Sequence, residues 1–352
     1  MRATAILARR CGRLGHDLQV LRSSTRWAVA VALVLLARVA GAQPIVDTAA
    51  VAEALERGAI LWDARDEIAY GRGHIPGAVN IGDVNRVLRN PQSEDFIPTA
   101  DVARILGAAG IDPAREIVVY AARASTQAYF GLYAIRYFGG RNVRVYHDGV
   151  DGWREAGRSL ATAATRRAPV ALRLVPNETI AATTAEVVAK LKDPTVQILD
   201  VRTRAEFDGG DVRAIRGGHI PGAVNIPYEE NWRDPDTASK LARRQVTENR
   251  GMSLKPEATL RSLYAGLDPA KETIVYCQSG VRAAETASVL EQLGFRNVRI
   301  FDSSWLGYAA KLDAPVANEV FFNVGAMNGR IAALQARLEA LERALEEARK
   351  PK

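Results

Sequence analysis

The chain has 352 residues, enough for two ordinary domains rather than one. Its 48% hydrophobic and 25% charged residues are typical of a globular protein. The net charge of +7 would suit a polyanionic partner, but seven arginines (Arg2, Arg9, Arg10, Arg13, Arg22, Arg26, Arg38) against the single acid Asp17 fall within the first 42 residues; the 40 basic and 39 acidic residues that remain nearly cancel, and no nucleic-acid partner is expected.

Residues 1–42 read as a secretory signal. A basic stretch ends at Arg26-Trp27, an apolar run follows from Ala28 to Ala37, and Ala40-Gly41-Ala42 fits a small-x-small cleavage site before Gln43. The run is about half of what spans a bilayer, and Arg38 interrupts it. Periplasmic export is therefore expected, with membrane attachment only if the signal stays uncleaved. The chain has two cysteines, Cys11 and Cys277. Cleavage would remove Cys11 and leave one thiol with no internal disulfide partner.

The rest of the chain contains a repeat. Ile60-Leu61-Trp62-Asp63-Ala64-Arg65 precedes Gly73-His74-Ile75-Pro76-Gly77-Ala78-Val79-Asn80-Ile81, and Ile198-Leu199-Asp200-Val201-Arg202 precedes the same nine residues at 218–226. Glu116–Tyr120 answers Glu272–Tyr276, and Arg141-Asn142-Val143-Arg144-Val145 answers Arg296-Asn297-Val298-Arg299-Ile300. The order is the same in both halves, as duplication requires. Short β-branched runs (Ala59–Trp62, Ile117–Tyr120, Val143–Tyr146) alternate with helical patterns such as Thr99–Ala109 and Thr126–Phe138. This predicts an α/β fold in which each half is a parallel sheet flanked by helices, with a domain at 45–160, a linker at 161–175 and a domain at 176–320.

Two features break the symmetry. Asp63 precedes His74 by eleven residues, but Asp200 precedes His219 by nineteen. The extra segment, 208–218, is rich in Gly and Asp and reads as a flexible loop; it fits no calcium-loop motif, and no metal or cofactor is expected. At the C-terminus, residues 325–350 form a heptad-patterned helix: Met327, Ile331, Leu334, Leu338, Leu341, Leu345 and Ala348 recur by threes and fours, with Arg and Glu around them. Homo-oligomerisation through 327–348 is favoured over a helix folded back on its own domain, because the seam is narrow and its flanks are strongly charged.

The chemistry concentrates at Cys277-Gln278-Ser279-Gly280-Val281-Arg282. The strand pattern Thr273–Tyr276 runs into this loop, and a helix pattern follows from Ala283 to Leu293. Cys277 is thus placed at the C-terminal end of a parallel strand and just before a helix, where ligands of such sheets bind. Loop amides, the helix dipole and Arg282 all favour thiolate over thiol, and the thiolate is the nucleophile. A merely structural buried cysteine is the bland alternative.

The loop, the doubled Gly-His-Ile-Pro-Gly-Ala-Val-Asn segment and the Asp-x-Arg turn resemble the rhodanese family over roughly 45–320. The resemblance implies a sulfurtransferase with two tandem rhodanese-like domains. In that family the loop cysteine takes a sulfane sulfur from a donor such as thiosulfate or polysulfide, holds it as a persulfide, and passes it to cyanide or a thiol. By resemblance Cys277 is the carrier, and Gln278, Ser279, Gly280, Val281 and Arg282 form the substrate-binding cradle. Arg282 lies five residues after Cys277; related phosphatases have six, and their wider loop admits phosphate. The first copy reads Ala121-Ala122-Arg123-Ala124-Ser125-Thr126, with no thiol, and is expected to be silent. His74, His219, Asp63 and Asp200 recur in both copies and are expected to fix loops and strand ends rather than to catalyse. Trp153 and Trp305 are expected to pack the core or wall the site.

Tandem thiosulfate and mercaptopyruvate enzymes usually carry a substrate-binding arginine six residues after the second aspartate. Here that position is Glu206, so an anionic donor is expected to rest mainly on Arg282 and the loop amides. The competing class is a non-catalytic binding module that oligomerises through its C-terminal helix.

Overall fold

A computed structural model describes residues 43–349. The first half runs β1 (Ile45–Val46), α1 (Thr48–Glu56), β2 (Ile60–Asp63), α2 (Glu67–Arg72), β3 (Val79–Asn80), α3 (Val84–Val87), α4 (Thr99–Ala108), β4 (Ile117–Tyr120), α5 (Thr126–Tyr137), β5 (Val143–Tyr146) and α6 (Gly149–Glu155). The second runs β6 (Ala181–Ala182), α7 (Thr184–Ala189), β7 (Val196–Asp200), α8 (Arg204–Phe207), β8 (Arg216–His219), β9 (Val224–Asn225), α9 (Thr237–Ala242), α10 (Glu257–Leu263), β10 (Glu272–Tyr276), α11 (Val281–Gln292), β11 (Val298–Phe301) and α12 (Ser304–Ala310). Strand β12 (Ala317–Phe321) and helix α13 (Val324–Arg349) close the chain.

Each half builds a five-stranded parallel sheet, in the orders β1-β5-β4-β2-β3 and β6-β11-β10-β7-β9. The apolar runs are buried throughout in β2 and β4, as strands covered on both faces must be. Asp47, Asp66 and Thr183 accept backbone amides at helix starts, so the sequence marks those boundaries locally. One hydrophobic core spans both halves, because α5 packs against α11. Arg136 and Glu291 form a 2.6 Å ion pair across these helices. Gly131 of α5 sits where a Cβ would meet Val119 at 2.8 Å, so that helix lies close on its sheet.

The repeated polar residues hold the strand ends. Arg202 grips Asp200 through Nε and Nη2 at 2.6–3.1 Å, and Nη2 also donates to the Gly218 carbonyl at 2.7 Å. Arg65 repeats this with Asp63 and Gly73. His74 and His219 each place Nδ1 on a backbone oxygen, of Tyr70 and Phe207, and stack on those same rings. These contacts hold each imidazole against its own loop. Trp305 is buried, its indole donating to the Arg216 carbonyl.

Two expectations need correction. The segment 208–218 is not all loop: β8 begins at Arg216 and pairs antiparallel with β12, a partner a hundred residues away that no local pattern reveals. The helix after the Cys277 loop starts at Val281, two residues earlier than its apolar pattern, with Gly280 in the left-handed region at its N-cap. The linker 161–175 is extended chain laid on the first half, with Thr165 and Val170 donating to Tyr70 Oη and the Gly107 carbonyl. The expected signal, 1–42, lies outside the described residues.

Candidate active site

Strand β10 delivers Cys277 to the C-terminal edge of the second sheet, where the side chain is 1% exposed. Its own amide donates to Ser304 Oγ at 3.1 Å, and its carbonyl accepts the Trp305 amide at 3.0 Å. These bonds fix the cysteine's backbone from α12. Among the described residues the amides of Gln278, Ser279, Gly280, Val281 and Arg282 donate to no protein acceptor. A run of unpaired N–H groups after the cysteine, at the start of a twelve-residue helix, favours negative charge at the sulfur.

The loop's shape depends on Gly280. Its φ is +85°, and a Cβ there would lie 2.7 Å from the Asp302 carbonyl and 2.9 Å from Asp302 Oδ1. Gln278 is buried against the inserted segment, donating from Nε2 to the Arg213 carbonyl at 2.8 Å, so the insertion braces the loop. Ser279, Val281 and Arg282 face a cleft of about 540 Å³ whose opposite wall comes from the first half, including Arg86, Arg89 and Glu94.

Arg282 differs most from expectation. Its Nη1 and Nη2 donate to the two oxygens of Glu206, each at 2.8 Å. Glu206 is 1% exposed. Its Oε2 also accepts the Thr203 amide, and its Oε1 accepts from Arg213. Burial alone would raise the Glu206 pKa; the hydrogen bonds and charge of Arg282 overrule it and hold the carboxyl at about 2. Burial likewise opposes the charge on Arg282, but Glu206 and the neighbouring Cys277 push its pKa up. The guanidinium expected to receive an anionic donor is therefore already occupied by a carboxylate of the same chain. The signal lay in the sequence, as an acid where the resemblance calls for an arginine, but the pairing with position 282 required the fold.

The equivalent loop of the first half is bonded differently. Ala121 replaces the cysteine, and three of the following amides are satisfied: Arg123 N by Asp151, Ala124 N by the His147 carbonyl, Ser125 N by the Ala122 carbonyl. The Arg123 side chain is buried between Asp148 and Glu155 and also donates to Asn249 of the second half at 2.8 Å. Ser253 Oγ and the Met252 carbonyl bond Asp148 and His147. The Ala121 loop and the residues around it thus bond the two halves together.

Comparison with known proteins follows the same outline. The model of the rhodanese-like domain matches twice, over residues 47–156 and 183–311. A thiosulfate sulfurtransferase of Corynebacterium glutamicum is 35% identical over 71% of this chain and 82% of its own length. A sulfur carrier protein, TtuD, of Thermus thermophilus is 30% identical over 72% of this chain and 88% of its own. Among solved structures, the anaerobic ergothioneine biosynthesis enzyme of Chlorobium limicola superposes with a TM-score of 0.68 at 20% identity, over 80% of this chain and 71% of that one. That last likeness concerns the fold.

Proposed function

Because the chain belongs to the rhodanese family and is a sulfurtransferase with two rhodanese-like domains, we propose that Cys277 carries the transferred sulfur and that only the second half is catalytic. In the first step the Cys277 thiolate attacks the outer sulfur of a donor such as thiosulfate or polysulfide. A new sulfur–sulfur bond forms, the donor's own breaks, and its electron pair leaves on sulfite or on the shortened polysulfide. In the second step a thiophilic acceptor, cyanide or a thiol, attacks the outer sulfur of the Cys277 persulfide and regenerates the thiolate. The observation that carries this reading is the contrast between the loops. Among the described residues the five amides after Cys277 donate to no protein acceptor, whereas three of the five after Ala121, those of Arg123, Ala124 and Ser125, are satisfied within the protein.

The test is mass spectrometry of the intact protein after donor treatment, together with thiocyanate production from donor and cyanide. One added sulfur on the wild type, and none with activity lost in Cys277→Ser, supports the proposal. Full activity in Cys277→Ser removes it.

We also infer that the protein self-associates through α13. Met327, Ile331, Leu334, Leu338, Leu341 and Leu345 remain 37–66% exposed, and no residue of the helix is buried. In a parallel pair with these residues as the seam, Arg337 would face Glu342 of the other copy, which favours that orientation. Export through residues 1–42 remains our reading of the signal pattern; among the described residues no helix is long and apolar enough to cross a membrane.

A further inference from the structure

We propose that Arg86 and Arg89, on and just after α3 of the silent half, bind the oxyanion end of an anionic sulfur donor in the cleft above the Cys277 loop. This assignment rests on the reading of Cys277 as sulfur carrier. It begins from a deficit. Glu206 pairs with Arg282 through two 2.8 Å hydrogen bonds, and among the described residues lining the cleft Arg282 is the only cation of the second half. The cleft of about 540 Å³ is within the usual range for small-molecule sites, and Arg86 and Arg89 line it together with Ser279, Val281 and Arg282.

The two arginines suit different parts of the task. The Arg86 side chain is 88% exposed, and its nearest carboxylate, Asp83, stands 4.0 Å away. Its charge is available to steer and meet an anion. Arg89 is 5% exposed and fixed: Nε donates to the Glu94 carbonyl, Nη1 lies 3.8 Å from Glu94 Oε2, and the guanidinium carbon sits 5.0 Å from the centre of the Phe130 ring. Its Nη2 is buried and donates to nothing among the described residues. A buried N–H donor without an acceptor costs free energy that a ligand oxygen would recover. Glu94 and Asp302 are the carboxylates near this arginine, and neither accepts a hydrogen bond from Nη2.

A donor whose sulfonate oxygens rest on Arg86 and Arg89, with its sulfane sulfur toward the loop, would leave sulfite behind in the cleft after transfer. The chemistry is unchanged: thiolate and thiosulfate give persulfide and sulfite, with equal charge on both sides. The inference concerns affinity, so its signature is in KM rather than kcat, and it scales with donor charge.

The experiment compares thiosulfate, a dianion, with benzenethiosulfonate, a monoanion that gives up the same sulfane sulfur, in steady-state transfer to cyanide by the full chain. Arg86→Ala should raise KM for thiosulfate about fivefold and for benzenethiosulfonate about twofold, with kcat within about twofold, an effect that weakens with added salt. Arg86→Lys should restore most of the loss. Arg89→Gln should raise KM for thiosulfate by about tenfold or more. Because Arg89 is buried, its variant counts only if its unfolding midpoint stays near that of the wild type; Arg86, being exposed, decides the matter if it does not. An unchanged KM for thiosulfate in Arg86→Ala, or an equal rise for both donors, overturns the proposal. Persulfide uptake by the wild type at saturating donor is read separately. If it fails, the reading of Cys277 fails with it; if it succeeds while KM is unmoved, only the arginine assignment falls.

Discussion

Replacing Glu206 by Gln separates the stabilising role of the Arg282 pair from its effect on the donor. The carboxylate is buried and held from 4.5 down to about 2, which corresponds to about 3 kcal/mol of stability at neutral pH, at about 1.4 kcal/mol per pKa unit. The folded value lies below the unfolded one. The contribution is therefore complete above about pH 5 and disappears as pH falls toward 2. Glu206→Gln should cost about 3 kcal/mol in urea unfolding at pH 7 and about 2 kcal/mol near pH 3.5. The same change releases Arg282 beside Cys277, so KM for thiosulfate should fall by about threefold to tenfold in the variant that remains folded. A stability loss that does not shrink with falling pH would refute the ion-pair account. An unchanged or higher KM would refute the claim that Glu206 withholds Arg282 from the donor.

Three further outcomes follow from single contacts. Gly280→Ala forces a side chain into a left-handed residue against Asp302; it should cost about 1–2 kcal/mol or more and lower sulfur transfer sharply, measured by denaturation and thiocyanate assay. Asp200→Asn leaves the buried Arg202 without its carboxylate and should cost about 3–5 kcal/mol in the same unfolding assay. Removing the residues after Asn323 should lower the solution mass by light scattering while leaving transfer to cyanide intact, since α13 buries none of its residues; an unchanged mass would rule out self-association through this helix.

The sequence by itself determined the architecture and pointed to the proposed nucleophile, Cys277. A repeat of nine identical residues, buried β-branched runs and a cysteine between a strand pattern and a helix pattern are local signals, and local signals survive in one dimension. It also showed which half lacks the thiol, because Ala121 stands where the second copy has Cys277. Tertiary structure decided the charge of the site. Glu206 and Arg282 are far apart in the chain and meet only because β7 and β10 are neighbours in one sheet. Arg86 and Arg89 reach the cleft only because α5 and α11 hold the halves face to face. The inserted segment shows its role only once β8 finds β12 and Arg213 meets Gln278. Long-range pairing leaves no periodicity in the chain, so the position of Cys277 between a strand and a helix could be read from the sequence, whereas the charges placed around its loop depended on the packing of two halves.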